Sequence, residues 1–247
     1  VIKKILSEKM LVPQTASKPS FSLNFESLNN LLIHAKPLGH NEDFASLNLG
    51  FGFLYYGLAR TLRPQHIVVI GSGFGYSVAC FALGLEDNGG GQLTFIDPSF
   101  SVLANGPFKT IGGRNQWKNP QKVRAHFSKF GVEDRVTHYK MTSEAFFESY
   151  KQRDLPKIDL AFIDGNHAFK HVRHDFQSVV RYSRKDAYVL LHDTNIFVRE
   201  FLRHSGVKRW LNSLRGEREA FECLEFPFSS GLAIVRVMEP EVCQQLV

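Results

Sequence analysis

Residues 65–80 read QHIVVIGSGFGYSVAC, and the rest of the chain is arranged around them. The run at 66–70 is mostly β-branched, the composition of a short strand buried on both faces. Gly71-Ser72-Gly73-Phe74-Gly75 follows at once, and residues 76–85 read as helix. Strand, glycine turn and helix make the first half of a βαβ unit. The glycines permit a tight turn and a close ligand approach, at the positive end of the following helix. A dinucleotide turn spaced GxGxxG would need glycine at position 76. That position is Tyr76, and the third glycine comes one residue earlier, at Gly75. The spacing is GxGxG. It reads either as a nucleotide-type site or as a glycine turn of purely structural purpose.

A chain of 247 residues and 28.1 kDa can bury the core of one large α/β domain. Hydrophobic residues at 43% and charged residues at 22% are ordinary for a globular protein. The net charge of +6 permits an anionic partner without requiring one. Cys80, Cys223 and Cys243 are widely spaced and form no CxxC pair. Neither a zinc site nor a disulfide framework is expected, and a cytoplasmic location follows as the expectation. No apolar run approaches a membrane span, and the opening VIKKILSEKMLVPQ lacks the apolar core of a secretory signal.

Taken in order, residues 1–20 read as a short helix and a loop, and residues 25–35 and 44–62 as amphipathic helices. Residues 1–64 are thus a helical cover or lid, and residues 65–247 the main domain, in one unit overall. A second strand at 92–97 ends in Asp97, where a carboxylate can accept both hydroxyls of a ribose; a turn or cap role is the alternative. Residues 100–119 form a long connection at the carboxyl end of that strand, with Lys109, Arg114, Trp117 and Lys118. Such connections usually take about 2–6 residues, so this one reads as a flap over the site or a solvated insertion. Then come helix 120–130, strand 135–139, helix 143–151, strand 158–163, helix 168–182, strand 187–191 and helix 195–214. A hairpin of strands 221–226 and 232–237 closes the chain. Five strands alternating with helices, then a hairpin, give a mostly parallel mixed sheet with its chemistry at the carboxyl edge.

The motifs GSGFG at 71–75, FID at 95–97, AFIDGNH at 161–167 and LLHDT at 190–194 together resemble the class I S-adenosylmethionine (SAM)-dependent methyltransferases. Within them, the pairing of IDGxH with HD resembles the metal-dependent O-methyltransferases of small molecules and sugars. The resemblance implies a Rossmann-like fold with a seven-stranded sheet and SAM as cofactor. It places SAM against Gly71, Ser72, Gly73, Gly75 and Asp164, its ribose on Asp97, and its adenine beside Ser143 and Glu144. Ser143 reads equally as a helix N-cap. Two departures stand out. Val69 occupies the place of the acid that often precedes the glycine turn, the usual anchor of the methionine amino group. Arg184-Lys185-Asp186 replaces a frequent Gly-Gly before the fifth strand.

Asp164 and Asp193 end two strands that the topology makes neighbours, about 4.8 Å apart if adjacent and parallel. Two such carboxylates repel unless a divalent ion or a protein cation lies between them. Oxygen ligands suit Mg²⁺ or a similar cation, with His192 as a third ligand or as an orienter of Asp193. A helix cap and a turn are the plain alternatives for the two acids. His167, three residues after Asp164, could accept a hydroxyl proton near neutral pH, and the resemblance gives a His here the role of general base. His171 and His174 read as exposed. The expected activity is O-methylation of a small hydroxylated molecule, with a homo-oligomer possible and no membrane partner. RNA methylation, using the basic stretch 199–215, is the second reading, although Glu200, Glu217 and Glu219 interrupt the positive charge. A noncatalytic SAM-binding protein is the third. The GxGxG spacing speaks against a dehydrogenase.

Overall fold

β1 (His66–Ile70) lies inside a seven-stranded sheet, paired in parallel with β2 (Gln92–Ile96) on one side and β6 (Ile158–Ile163) on the other. The computed structural model describes residues 21–100, 102–105, 108–111, 115–195 and 206–245. The remaining large-sheet strands are β5 (Val136–Tyr139), β7 (Ser183–His192), β8 (Phe221–Phe226) and β9 (Leu232–Val237). Their order is β5-β2-β1-β6-β7-β9-β8, parallel from β5 to β7, with β9 antiparallel to both β7 and β8. The expected mixed sheet with a terminal hairpin is the one observed. From β1 the chain passes to β2 on one side, while β6 lies on the other. The strand order therefore reverses at β1, and a crevice opens at the carboxyl ends there.

All five residues of β1 are buried because both faces of the sheet are covered. Ile67 and Val69 join one core with α1 (Phe25–His34), α2 (Phe51–Leu62), α3 (Tyr76–Asn88) and α4 (Pro120–Phe127). Val68 and Ile70 join the other, with α5 (Ser143–Glu148), α6 (Phe169–Arg181) and α7 (Gly206–Gly216). Residues 76–85 of α3 are buried all round, between the sheet and α2, which explains their apolar run.

Several boundaries depart from the sequence expectations. Residues 44–50 are a turn, not the first part of a helix. The Asp43 side chain accepts from the Ala45 N–H and the Ser46 hydroxyl, Asn48 Oδ1 accepts from the Gly50 N–H, and Asp43 bridges Asn48. Short polar side chains here offer the backbone an alternative to helix. Thr142, not Ser143, caps α5, and this helix stops at Glu148. α4 stops at Phe127, followed by a 3₁₀ turn, Ser128–Phe130. β7 begins at Ser183, four residues early. Its charged start is held by ion pairs from Arg184 to Asp159, Lys185 to Glu239 and Arg236 to Asp186.

The connection 100–119 carries regular structure: β3 (Val102–Asn105) pairs antiparallel with β4 (Phe108–Ile111) as a separate ribbon. Its end is part of the core. Trp117 is fully buried, stacks on Phe127 at 5.7 Å and donates its indole N–H to the Gly73 carbonyl at 3.1 Å. The expected helix and loop at 1–20, and Arg199 and Arg203 of the expected basic helix, lie outside the described residues.

Candidate active site

The crevice at the strand reversal holds a cavity of about 600 Å³, walled by the carboxyl ends of β1, β2, β6 and β7. All the residues expected to bind SAM line it except Gly75, which lies behind the turn against Trp117 and Phe127. The glycine turn explains itself atom by atom. Gly71 has φ +69°, and a Cβ there would stand 2.5 Å from the Asp164 carbonyl oxygen. Only glycine lets β1 and the end of β6 approach so closely. Gly73 has φ +47°, yet a Cβ there would meet nothing within 4 Å. Its missing side chain leaves open space at the turn, on the cavity that Gly73 lines.

Asp97 is nearly buried at the end of β2, with Oδ1 accepting from the Ser99 N–H at 2.6 Å. Burial lifts its pKa to about 6; the Ser99 N–H opposes the rise and nearby Asp164 adds to it. An ionised Asp97 is the better acceptor for ribose hydroxyls, so nucleoside affinity is expected to fall as pH drops through 6. Asp97→Ala should weaken S-adenosylhomocysteine (SAH) about tenfold or more at neutral pH and remove that pH dependence. Calorimetry across pH 5–8 checks both, and a loss under about twofold would remove Asp97 from the ribose.

Ser143 and Glu144 line the next wall. Glu144 pairs with His171 Nδ1 at 3.2 Å, so His171 belongs to the cavity wall and is only partly exposed. Beneath them lies Asp175, which the sequence reading passed over. It is 2% exposed, its Oδ1 has no hydrogen-bond partner, and burial lifts its pKa to about 7 against the Ser143 hydroxyl. The available signal was an acid one turn beyond Val172, on the apolar stripe of α6.

Asp164, His167, His192 and Asp193 come together as expected, and both histidines span both acids. His167 Nδ1 lies 3.0 Å from Asp193 Oδ2, and its Nε2 lies 3.3 Å from Asp164 Oδ1. His192 Nδ1 lies 3.1 Å from Asp164 Oδ1 and 3.2 Å from Asp193 Oδ1. Burial opposes charge on all four, but their mutual attraction overrides it. His167 rises to about 9, His192 rises, Asp193 falls to about 2 and Asp164 falls well below the carboxylate range. The protein thus supplies its own counter-charges, the protein-cation solution to the repulsion. The two carboxylates favour the charged form of the His167 ring, whereas the expected base is a neutral one.

The N-terminal cover reaches this cluster, which the sequence did not reveal. His192 Nε2 faces the Gly39 carbonyl at 3.2 Å, and the Ser230 hydroxyl donates to the same carbonyl at 2.7 Å. The buried His40 ring stacks on His192 at 4.3 Å and meets the Tyr55 hydroxyl at 3.0 Å. Burial beside His192 lowers the His40 pKa to about 3, so it stays neutral. Asp164, His167 and Asp193 each offer a donor atom, all within 4.8 Å of one another. Two carboxylates and an imidazole suit a divalent cation. His192, expected as a ligand, lines the same cavity with Nδ1 toward both acids and Nε2 toward the Gly39 carbonyl.

A family profile described as a methyltransferase domain matches residues 68–194. An uncharacterised protein of Sinorhizobium fredii, y4gI, is 24% identical over 178 residues, 72% of this chain and 18% of that protein. The chain thus spans under a fifth of that relative's length. An O-methyltransferase from Bacillus cereus, solved with SAH, superposes with TM-score 0.62 at 16% identity over 96% of each chain. TomG, an O-methyltransferase of Streptomyces achromogenes involved in tomaymycin synthesis and solved with SAM, gives 0.61 at 15% identity over 96% of each chain. At these identities the structural likeness establishes the fold. Among the described residues, no helix is long and apolar enough to cross a membrane.

Proposed function

The chain belongs to the methyltransferase-domain family that matches residues 68–194, and from that premise we propose that it is a SAM-dependent O-methyltransferase of a small hydroxylated molecule. One observation carries the reading: the open cradle at Gly73, the acid at Asp97 and the Asp164–His167–Asp193 cluster wall a single cavity. The residues fit SAM, with the glycine turn under it, Asp97 on the ribose, and Ser143 and Glu144 beside the adenine. Bound there, SAM supplies a methyl group on a positively charged sulfur.

The residues of the chain do the rest. Asp193 holds His167 through Nδ1, which leaves Nε2, on the Asp164 side, as the atom that exchanges a proton. His167 takes the acceptor's hydroxyl proton there, after giving up its own. Positive charge brought next to it by a bound ligand favours the neutral ring that this step needs. Asp164, which lines the cavity beside His167, orients the acceptor oxygen for in-line attack. In the competing arrangement Asp164, His167 and Asp193 would hold a divalent cation, which polarises a hydroxyl when bound, and His167 would then be a ligand in place of the base.

Incubation with SAM carrying a labelled methyl group and a panel of sugars and phenols tests the activity. EDTA should cut turnover by about tenfold or more, and Mg²⁺ or Mn²⁺ should restore it. Full turnover after chelation would leave His167 and His192 as the counter-charges among the described residues. The RNA reading loses ground in the described part of α7. Lys208 and Arg215 both pair with Glu225, and Arg209 lies 4.4 Å from the Phe169 ring centroid. Those charges are engaged within the fold.

A further inference from the structure

Val69 is fully buried in the core under α3, so the end of β1 offers no acid to the amino-acid end of a bound SAM. The cavity has another singular feature. Five carboxylates line it (Asp97, Glu144, Asp164, Asp175 and Asp193), while Lys36 is the only Lys or Arg that does so among the described residues. The methionine end of SAM carries both an ammonium and a carboxylate. The ammonium has acids to choose from. The carboxylate is repelled by the same acids and has one side-chain ammonium to meet. We propose that Lys36 holds the carboxylate of the cofactor's methionine end, an inference that rests on the SAM reading above.

Placement supports this. With the ribose at Asp97, the adenine beside Ser143 and Glu144, and the sulfur facing His167, the methionine tail must take the remaining direction. Phe74 of the glycine turn and the segment 35–38 are among the cavity walls not assigned to those parts. Lys36 Nζ lies 5.6 Å from the Phe74 ring centroid. It makes no hydrogen bond or ion pair among the described residues. A cation 5.6 Å from the centroid of a half-buried ring is held weakly and is easily drawn to a carboxylate. Its base is fixed: Lys36 has φ +42°, Ala35 caps α1 before it, and the Gly39 carbonyl is tied to Ser230 and His192 after it. The chain thus fixes where the lysine starts, and among the described residues its tip meets only the Phe74 ring.

Calorimetry with two ligands, SAH and decarboxylated SAH, tests the assignment in the parent, Lys36→Met and Lys36→Arg proteins. The parent should prefer SAH by about five- to tenfold, the worth of one charge-assisted contact partly open to water. Lys36→Met should lose that preference, with decarboxylated SAH binding as in the parent, and Lys36→Arg should recover most of it. A parent that does not distinguish the ligands overturns the proposal without needing any variant to fold. So does an equal loss for both ligands in Lys36→Met, which would mean a changed segment rather than a lost contact. A variant with normal SAH affinity but a raised KM for the acceptor would move Lys36 to the acceptor and also overturn it. If the parent binds neither ligand, the SAM reading itself fails, a result separate from these.

Discussion

Gly73→Val is expected to weaken SAH binding by about a hundredfold or more while the protein still folds. The two effects separate because of where the missing side chain would point. A Cβ at Gly73 meets no atom within 4 Å, so the substitution collides with nothing in the protein. Its branched side chain would stand in the cavity, against the ligand. Displacing a ligand from its backbone cradle by even about 2.7 kcal/mol is a hundredfold in affinity. The cost to the fold is backbone strain: φ is +47°, and an L-residue in that region costs roughly 1–2 kcal/mol, more when β-branched. In a domain of this size that lowers Tm by about 2–4 °C per kcal/mol. Gly71→Ala should behave oppositely. Its Cβ would stand 2.5 Å from the Asp164 carbonyl oxygen and 2.9 Å from Gly165 Cα, so the end of β6 must move. The expected result is a large loss of stability, with binding lost only as a consequence. Thermal melting and calorimetry on both variants separate these outcomes. A Gly73→Val protein that binds SAH as the parent does would mean that the ligand does not lie on the turn.

The parts of this site that were legible in the sequence belong to one strand-and-turn logic. β1 announces itself by β-branched composition, Gly71 and Gly73 by spacing, and Asp97, Asp164 and Asp193 by ending strands whose order the fold fixes. Acids at the ends of adjacent parallel strands have to converge, so their meeting needed no structure. The contacts from the other side were not legible, because no local period encodes them. Gly39 meets His192 across 153 positions and Ser230 across 191. Nothing around PLGHN at 37–41 signals that its carbonyl and its ring close the back of the site. Trp117 was visible only as part of a long connection, although its indole holds the glycine turn. Asp175 was hidden by its neighbours, since an acid on an apolar helix face reads as a break in a pattern. The charge state of His167 was out of reach for a different reason. It depends on how many carboxylates face the ring and at what distance, and sequence spacing named only Asp164.

His167→Ala should cut turnover by about 10²–10⁴-fold, the range of general-base assistance, with SAH affinity nearly unchanged. The ring is not assigned a contact with the cofactor. Alanine also does something less specific: it takes one counter-charge from the buried Asp164 and Asp193, where His192 is the other among the described residues. Removing one member of a buried ion pair commonly costs about 3–5 kcal/mol, so that variant alone could lose activity by losing its fold. His167→Gln resolves the ambiguity. The amide can still donate to one carboxylate, but it cannot take up a proton at neutral pH. If the base assignment holds, Gln should melt nearer the parent than Ala does and lose turnover as severely. A pH series supplies a further check on the clamp. The folded His167 titrates near 9, above the unfolded value of about 6.5. The stabilisation it gives is therefore complete below 6.5 and lost as pH rises through 9. The parent should lose stability across that window, and His167→Gln should flatten this part of the curve. If Gln instead keeps near-parental turnover, the acceptor's proton does not pass through this imidazole. Asp164 and Asp193, with a cation between them, would then be the groups that activate the hydroxyl, and turnover in the Gln variant would become fully sensitive to chelation.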